Sequence, residues 1–290
     1  MAQFETRLLI GGELLAGEGD PLEVENPYTE ETVATVGVAS GKQIDAAIAA
    51  ASEAKREWAG TPAVERGEAL HEVATRLRSR SDELAEVMTA EGGKPLVENS
   101  DEIGWTAAAF DYYAEIGRDS AGRVIPSIES TQLSMVVKEP VGTFGCIVPW
   151  NYPLLLLSWK LAPALATGNT VVCKPSELTP LSTLMLASCL DHLPAGVVNL
   201  LAGAGEVGAA IVADERVDGV AFTGRHRQAD RRCVCRADRA GQPRDGRQGP
   251  VHRLLRRRGQ GGRRGEGRGR GGVPECRPGL HVRRALLRDG

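Results

Sequence analysis

The sequence predicts an open parallel α/β sheet, a fold in which strands and helices alternate. Four strand-length apolar runs recur, at 144–149, 170–174, 197–201 and 217–222. Helix-length segments separate these runs, at 153–166, 180–192 and 206–214. The repeat of roughly 25 residues fits β-α-β units. The strands are apolar on both faces, as is typical of parallel strands covered by helices. Sheets of this kind bind nucleotides beyond the carboxyl ends of their strands.

Helices are predicted ahead of this sheet. Apolar residues recur at helical spacing, with charges between them, over 42–59, 62–80 and 96–118. Ser81 is predicted to be the N-cap of a further helix that runs to about Ala90, where the segment EGGKP breaks it. Strand-like alternation follows at 124–142. The predicted order is therefore four amphipathic helices, a strand-forming arm and then the parallel sheet.

The net charge of −3 conceals two oppositely charged segments of the 290-residue chain. Residues 225–290 hold 20 of the 35 basic residues, all arginine, and 6 of the 38 acidic residues, which gives +14. Residues 1–224 carry −17. The arginine-rich segment has nine Val or Leu residues, too few to build a core against such charge. We expect a globular part over 1–224 and a disordered Arg/Gly-rich tail over 225–290.

The sequence argues against export, membrane insertion and metal binding. No basic flank precedes an apolar run at the N-terminus, and the apolar stretch PLLLLSW is far shorter than the ~20 residues that span a bilayer. Cys233 and Cys235, with His226 and His252, could be imagined as zinc ligands. A lone C-x-C lacks the paired spacing of zinc sites, so no metal is predicted. We expect a soluble cytoplasmic protein.

Polar residues follow two of the predicted strands. In VPWNYP (148–153), the Asn151 amide could donate to a developing oxyanion, although asparagine is also an ordinary turn residue. In CKPSE (173–177), Lys174 and Glu177 either form a surface ion pair or bind the hydroxyls of a nucleotide ribose. These residues are the first candidates for a site.

The segment GAGEVG matches the pattern G-x-G-x-x-G through Gly203, Gly205 and Gly208. The dinucleotide fingerprint also needs an acidic residue about 20 positions later, at the end of a second strand, and none is present. A structural turn with close helix packing explains these glycines at least as well.

Taken together, the run from EPVGTFGCIVPWNYP through VVCKPSE and GAGEVG to VAFTG resembles the NAD(P)-dependent aldehyde dehydrogenases. The resemblance covers 8–224 and is strongest over 138–224. It implies a Rossmann-like NAD(P)-binding domain over 1–224, in which 124–142 supplies strands of an oligomerisation arm. It also implies NAD as the cofactor, with NADP possible, because a carboxylate at Glu177 favours NAD.

The resemblance also assigns roles to single residues. Asn151 would be the catalytic oxyanion-hole amide, while Leu156 and Trp159 would line the aldehyde tunnel. Trp150 would lie beside the nicotinamide, and Lys174 and Glu177 would bind the adenosine ribose. The remaining residues of the implied cofactor site are Gly203, Gly208, Phe222, Thr223 and Gly224.

The family pattern stops after Gly224. The family has a pyrophosphate-binding serine at the next position, where this chain has Arg225. It also has a general-base glutamate in LE-x-GGK and, in GQ-x-C, a cysteine that forms the thiohemiacetal and thioester of aldehyde oxidation. Neither segment is present in this chain. We therefore expect the chain as written to lack the catalytic domain and to be inactive.

A change of reading frame explains the tail. Arg, Gly, Ala and Pro have GC-rich codons, whereas Lys, Ile, Phe, Tyr and Asn, all absent from 225–290, need A or T. Codons for E-M-G-G-K-D-P, read from the third base, give the DGRQGP of 245–250. Codons for F-L-N-A-G-Q-V-C-T-S-A-E-R-F-Y-V-T-G likewise give 273–290. The base would then be encoded across Arg244 and Asp245, and the nucleophile across Leu280 and His281, so Cys276 is not the nucleophile.

Two alternatives remain open. The chain could be an inactive NAD-binding remnant, or 259–272 could be an RGG-like arm that contacts RNA through arginine. The tail lacks the aromatic residues that usually accompany such arms. The expected partner is therefore a small-molecule aldehyde, and neither nucleic acid nor a membrane is expected to bind. An intact family member would be a homo-oligomer. That state is in doubt here, because the arm pairs with a C-terminal portion that this chain lacks.

Overall fold

The computed structural model describes residues 4–119, 121–126 and 132–224, and the backbone of a strand at 281–288. The helices are α1 Gly41–Gly60, α2 Ala63–Ser79, α3 Ser81–Gly92, α4 Leu96–Arg118, α5 Pro153–Ala166, α6 Leu181–Met185, α7 Ala187–Leu190 and α8 Gly205–Ala213. The strands are β1 Leu8–Ile10, β2 Glu13–Leu15, β3 Pro21–Glu25, β4 Thr32–Gly37, β5 Arg123–Ile125, β6 Gln132–Glu139, β7 Thr143–Ile147, β8 Thr170–Lys174, β9 Val198–Leu200, β10 Gly219–Phe222 and β11 His281–Arg288.

The central sheet has six strands in the order β10-β7-β8-β9-β1-β2. Strands β10, β7, β8 and β9 are parallel, and β1 adds an antiparallel strand beside β9. Every residue of β7 and β8 is buried, because helices cover the sheet. The predicted parallel sheet and the helices around it are confirmed, whereas β1 to β4 were not predicted.

The direction of winding reverses between β7 and β10. From β7 the chain moves through β8 to β9 in one direction, and α8 then carries it back to β10 on the opposite side of β7. In open α/β sheets, the crevice at such a reversal, beyond the carboxyl ends of the strands, is where ligands bind. The topology therefore marks one edge of this sheet as the candidate site.

Helix α5 follows β7 and is fixed firmly at its carboxyl end. The Trp58 Nε1 donates to the Leu165 carbonyl at 3.1 Å, and the Arg66 Nε donates to the Ala166 carbonyl, also at 3.1 Å. A guanidinium at this position is favourable because the unpaired carbonyls of a helix end carry partial negative charge. Helix α4 packs along α5 and also contacts α2 and α3.

The prediction that Ser81 caps α3 is wrong. Only Arg80 separates α2 from α3, so Ser81 is already the first helical residue and Arg80 occupies the N-cap, where its side chain forms no capping hydrogen bond. The one-residue connection leaves no extended residue in which a serine could turn its hydroxyl onto the helix.

The predicted disorder of the tail does not hold for His281–Arg288. Strand β11 pairs antiparallel with β6, from His281 opposite Glu139 to Arg288 opposite Gln132, in a sheet ordered β11-β6-β5. Without β11, β6 would be an edge strand with unpaired backbone N–H and C=O groups, and such groups can pair with another extended segment. The rest of 225–290 lies outside the described residues.

None of the helices in the described part is both long enough and apolar enough to span a bilayer.

Glu91, near the end of α3, is a buried carboxylate that caps another helix. Its Oε2 accepts from the Leu181 N–H at 2.7 Å and its Oε1 from the Ser182 N–H at 3.0 Å, at the start of α6. Burial outweighs these hydrogen bonds and raises the Glu91 pKa to about 7, from an ordinary 4.5. The folded protein therefore holds a proton that the unfolded chain releases.

We expect Glu91→Gln to flatten the pH dependence of stability. Between pH 4.5 and about pH 7 the folded state binds more protons than the unfolded state, so the free energy of unfolding falls as pH rises. The loss is on the order of 3 kcal/mol across this window. Thermal unfolding at about pH 5 and about pH 7 should show a smaller Tm difference in Glu91→Gln than in the parent. The exposed Glu86→Gln should keep the parent's difference, and equal differences in all three proteins would contradict the assignment.

Candidate functional site

The candidate site lies where the parallel strands end. Phe222 of β10 is in register with Ile147 of β7, which is in register with Lys174 of β8. Two backbone hydrogen bonds continue the pairing by one step, from the Thr223 N–H to the Ile147 carbonyl and from the Val148 N–H to the Lys174 carbonyl. The loops that carry the predicted site residues therefore leave the sheet at a common edge.

Asn151 lies on the loop between β7 and α5. Its side chain is exposed, and the adjoining Trp150 is half exposed. Pro153 follows at the first position of α5, where its fixed φ suits the helix and its missing N–H costs nothing. The short loop therefore presents a polar amide and an indole to solvent directly beyond the end of β7.

Lys174 and Glu177 meet at the end of β8. The Lys174 Nζ lies 3.3 Å from the Glu177 Oε2, with the lysine side chain almost completely buried and the glutamate side chain 44% exposed. Gly208 of α8 faces this lysine, because a Cβ built on Gly208 would lie 3.8 Å from the Lys174 Cδ and 3.4 Å from the Ile147 Cδ1. This arrangement places a fixed ammonium and a reachable carboxylate together, a donor and an acceptor suited to two neighbouring hydroxyls.

Backbone conformation and close packing both require a glycine at position 203. Its φ is +151°, and an added Cβ would lie 2.3 Å from the Val207 Cγ2 and 3.1 Å from the Val38 Cγ1. The glycine therefore allows the close turn from β9 into α8, as the structural interpretation of GAGEVG expects. Of the predicted glycines in this segment, Gly208 is the one that packs beside Lys174.

Phe222, Thr223 and Gly224 end the central sheet on the other side of the reversal point. The Thr223 Oγ1 accepts from the Lys160 Nζ at 2.7 Å, and the same ammonium donates to the Leu156 carbonyl at 3.2 Å. Burial lowers the pKa of Lys160. This lysine ties α5 to the end of β10 across the reversal point.

Lys160 was not among the sequence-predicted site residues, although a signal for it existed. It is the one charged residue of α5, whose 14 residues are otherwise almost wholly apolar. A cation in such a helix costs free energy unless it has partners, which makes it a candidate for a functional position.

Leu156 and Trp159 share one face of α5, since residues three apart on a helix are neighbours. Trp159 is half exposed and Leu156 is partly buried. The structure thus provides an apolar surface that begins one turn beyond Asn151, as a tunnel lining would require.

Lys94 contacts the Asn151 loop and Glu102 contacts the helix that follows it, and neither residue was predicted from the sequence. They form an ion pair with each other, and Glu102 accepts hydrogen bonds from the first turn of α5. Lys94 also lines a cavity of about 310 Å³ together with Trp150, Asn151 and Thr179. Lys94 is 57 positions from Asn151 and Glu102 is 52 positions from Leu154, so local sequence could not connect them with this loop and helix.

Other predicted residues lie outside the described part of the chain. These are Arg225, His226, Cys233, Cys235, Arg244, Asp245, His252, Cys276 and Leu280, and the arm at 259–272. His281 is described only as backbone of β11. Within the described residues, no three His, Cys, Asp or Glu side chains are grouped to hold a metal ion.

Comparison with known proteins gives a consistent result. The profile of the aldehyde dehydrogenase family matches residues 15–236. The chain is 40% identical over 223 residues to the betaine aldehyde dehydrogenase of Bacillus subtilis (strain 168), covering 75% of this chain and 46% of that protein. The chain thus spans about half the length of this curated relative.

Solved structures of aldehyde dehydrogenases also resemble this chain. The betaine aldehyde dehydrogenase of Staphylococcus aureus, in complex with NAD+, has a TM-score of 0.77 and 34% identity, covering 81% of this chain and 48% of that one. An NADP-dependent enzyme of E. coli has a TM-score of 0.77 and 35% identity, covering 80% and 50% of the two chains.

Proposed function

This chain belongs to the aldehyde dehydrogenase family, and from that premise we propose that residues 1–224 form the NAD(P)-binding half of an enzyme that oxidises an aldehyde to a carboxylic acid. The observation that carries the proposal is the meeting of three segments at the reversal point of the sheet. The Asn151 loop, the Lys174–Glu177 pair and the end of β10 all leave the same edge. Nucleotides bind at this position in open α/β sheets.

The residues present fit a nicotinamide dinucleotide. Lys174 and Glu177 offer a donor and an acceptor for the two hydroxyls of the adenosine ribose. Gly208 keeps the surface beside Lys174 free of a side chain, so the adenine end can approach α8. Trp150, Phe222, Thr223 and Gly224 would complete the site toward the nicotinamide. When bound, the cofactor supplies the hydride acceptor.

NAD is the proposed cofactor. The solved Staphylococcus relative binds NAD+, while the E. coli relative is named as NADP dependent. The carboxylate of Glu177 would accept from a free 2′-hydroxyl and would repel a 2′-phosphate.

Asn151 is proposed to stabilise the oxyanion that develops on the aldehyde oxygen. Its exposed amide follows a strand end and precedes a fixed helix, so the backbone that carries the donor is held in place before the reaction. A donor held in this way acts most strongly where charge develops in the transition state. Leu156 and Trp159 would guide the aldehyde along α5 to this amide.

We further propose that the nucleophile and the general base are encoded in an alternative frame of the gene. The chain matches the family up to residue 236 and spans less than half of its Bacillus relative, and another reading frame beyond Gly224 could encode both missing segments in family order. The chain as written would then lack dehydrogenase activity, and it would also lack the family's C-terminal portion that pairs with the 124–142 arm in an intact homo-oligomer. The enzyme would act in the cytoplasm.

The gene sequence from the codon of Phe222 to past that of Gly290 tests this proposal. We expect one inserted or deleted base, after which an open frame encodes both missing segments. The frame-restored enzyme should reduce NAD+ when it is given an aldehyde, whereas the 290-residue chain should not. An alternative frame without these segments, or robust activity of the chain as written, would refute the proposal.

The two other functions have distinct tests. An inactive remnant would bind NAD+ and show no activity in either frame. An RNA-binding arm at 259–272 would retain single-stranded RNA on a filter at low salt and release it at high salt. The basic composition of the tail is the observation that favours this second function.

A further inference from the structure

A buried glutamate of α4 caps the first turn of α5. Glu102 is 0% exposed, and its Oε1 accepts from the N–H groups of Leu154 and Leu155, each at 3.1 Å. These are the first two amides of the helix, because Pro153 has none. A carboxylate is favoured at this position by the partial positive charge of a helix N-terminus.

Lys94 joins this carboxylate to the Asn151 loop. Its ammonium pairs with the Glu102 Oε2, lies 3.5 Å from the Asn151 carbonyl oxygen and 4.0 Å from the centre of the Tyr152 ring. One cation therefore contacts the backbone of Asn151, the side chain that follows it and the helix cap. A buried charge pair of this kind tolerates little displacement, because moving either partner leaves the other without compensation.

We propose that Glu102 is a positioning residue, which sets the orientation of the Asn151 amide through the first turn of α5 and through Lys94. This inference rests on the oxyanion role proposed for Asn151. Glu102 itself does not touch the reacting atoms. Its action is local, because Trp58 and Arg66 fix the other end of α5 independently.

Hydrogen exchange in the 290-residue chain tests the local effect without any reaction. We expect Glu102→Ala to accelerate exchange of the Leu154 and Leu155 amides and of the loop before them. Glu102→Gln keeps an oxygen at Oε1 but loses the charge, and should have a smaller effect. Asp101→Asn, an exposed neighbour on α4, should change neither segment. Faster exchange spread equally over α1 would mean general destabilisation and would overturn the proposal.

Kinetics of the frame-restored enzyme test the functional effect. We expect Glu102→Ala to lower kcat by about 10–100-fold, because misplacing a catalytic group by about 1 Å can cost about 10²-fold, and Glu102→Gln to lower it less. The KM for NAD+ should stay unchanged. In an Asn151→Ala background the same two substitutions should change kcat by less than about twofold, since the group that they orient is gone.

The outcomes separate the two proposals. If Glu102→Ala lowers kcat by the same factor in the Asn151→Ala background as in the parent, Glu102 does not act through Asn151. The positioning role is then overturned, while the oxyanion role stands. If Asn151→Ala alone leaves kcat unchanged, the oxyanion role fails and the positioning role falls with it.

Discussion

Asn151→Ala in the frame-restored enzyme is expected to lower kcat by about 10²–10³-fold. The alanine removes the side-chain donor that would meet negative charge on the aldehyde oxygen, and losing one oxyanion donor has an effect of this size. The exposed position of Asn151 makes the fold insensitive to the change, since its side chain packs in no core. Steady-state aldehyde oxidation, followed by NADH absorbance, measures the effect.

Binding of NAD+ is the internal control for this prediction. The Lys174–Glu177 pair lies on a different loop and is untouched by the substitution, so the Kd for NAD+ should stay within about twofold of the parent. A variant with normal kcat would remove Asn151 from the chemistry. A variant with normal kcat and a weakened Kd would instead assign the residue to the cofactor.

The sequence predicted the elements whose pattern is local. Strands β7 and β8 were found because each is an apolar run of strand length, and α4 because its periodicity extends over 23 residues. Ser81 was assigned wrongly because its role depends on how closely α2 and α3 abut, which the residue type does not reveal. The three-residue strands β1 and β2 have patterns too short to identify, and β1 joins the sheet by pairing with β9, which lies far away in sequence.

For the candidate site, too, the sequence points to residues with a local pattern and not to residues whose contacts depend on packing. Asn151, Lys174 and Glu177 could be proposed from the sequence because they lie at or just beyond strand ends, and parallel strands bring such positions to one edge. Glu102 could not be proposed from the sequence, because its contacts with α5 depend on the packing of α4 against α5, which no spacing encodes. In the sequence, Glu102 cannot be distinguished from the other acidic residues of an amphipathic helix.

Lys174→Met is expected to weaken NAD+ binding by about 10–100-fold. A hydrogen bond from a charged group is worth about 1.5–3 kcal/mol, which corresponds to this range. Methionine keeps an unbranched side chain of similar length against Gly208 and Ile147, so packing at the end of β8 should survive. Titration calorimetry with NAD+ on the frame-restored enzyme measures the change. Lys42→Met, an exposed lysine of α1, is the matched control and should bind as the parent does.

Glu177→Gln tests the role of the carboxylate in the Lys174–Glu177 pair separately from that of the ammonium. Its amide still accepts from one ribose hydroxyl, so NAD+ should bind only a few-fold more weakly, while loss of the negative charge should strengthen NADP+ binding. The ratio of the two Kd values should therefore shift toward NADP+ in this variant and stay constant in Lys42→Met. Unchanged NAD+ binding in Lys174→Met, with an unchanged ratio in Glu177→Gln, would mean that the pair is an ordinary ion pair at the end of a strand. The cofactor would then have to bind elsewhere along the sheet edge.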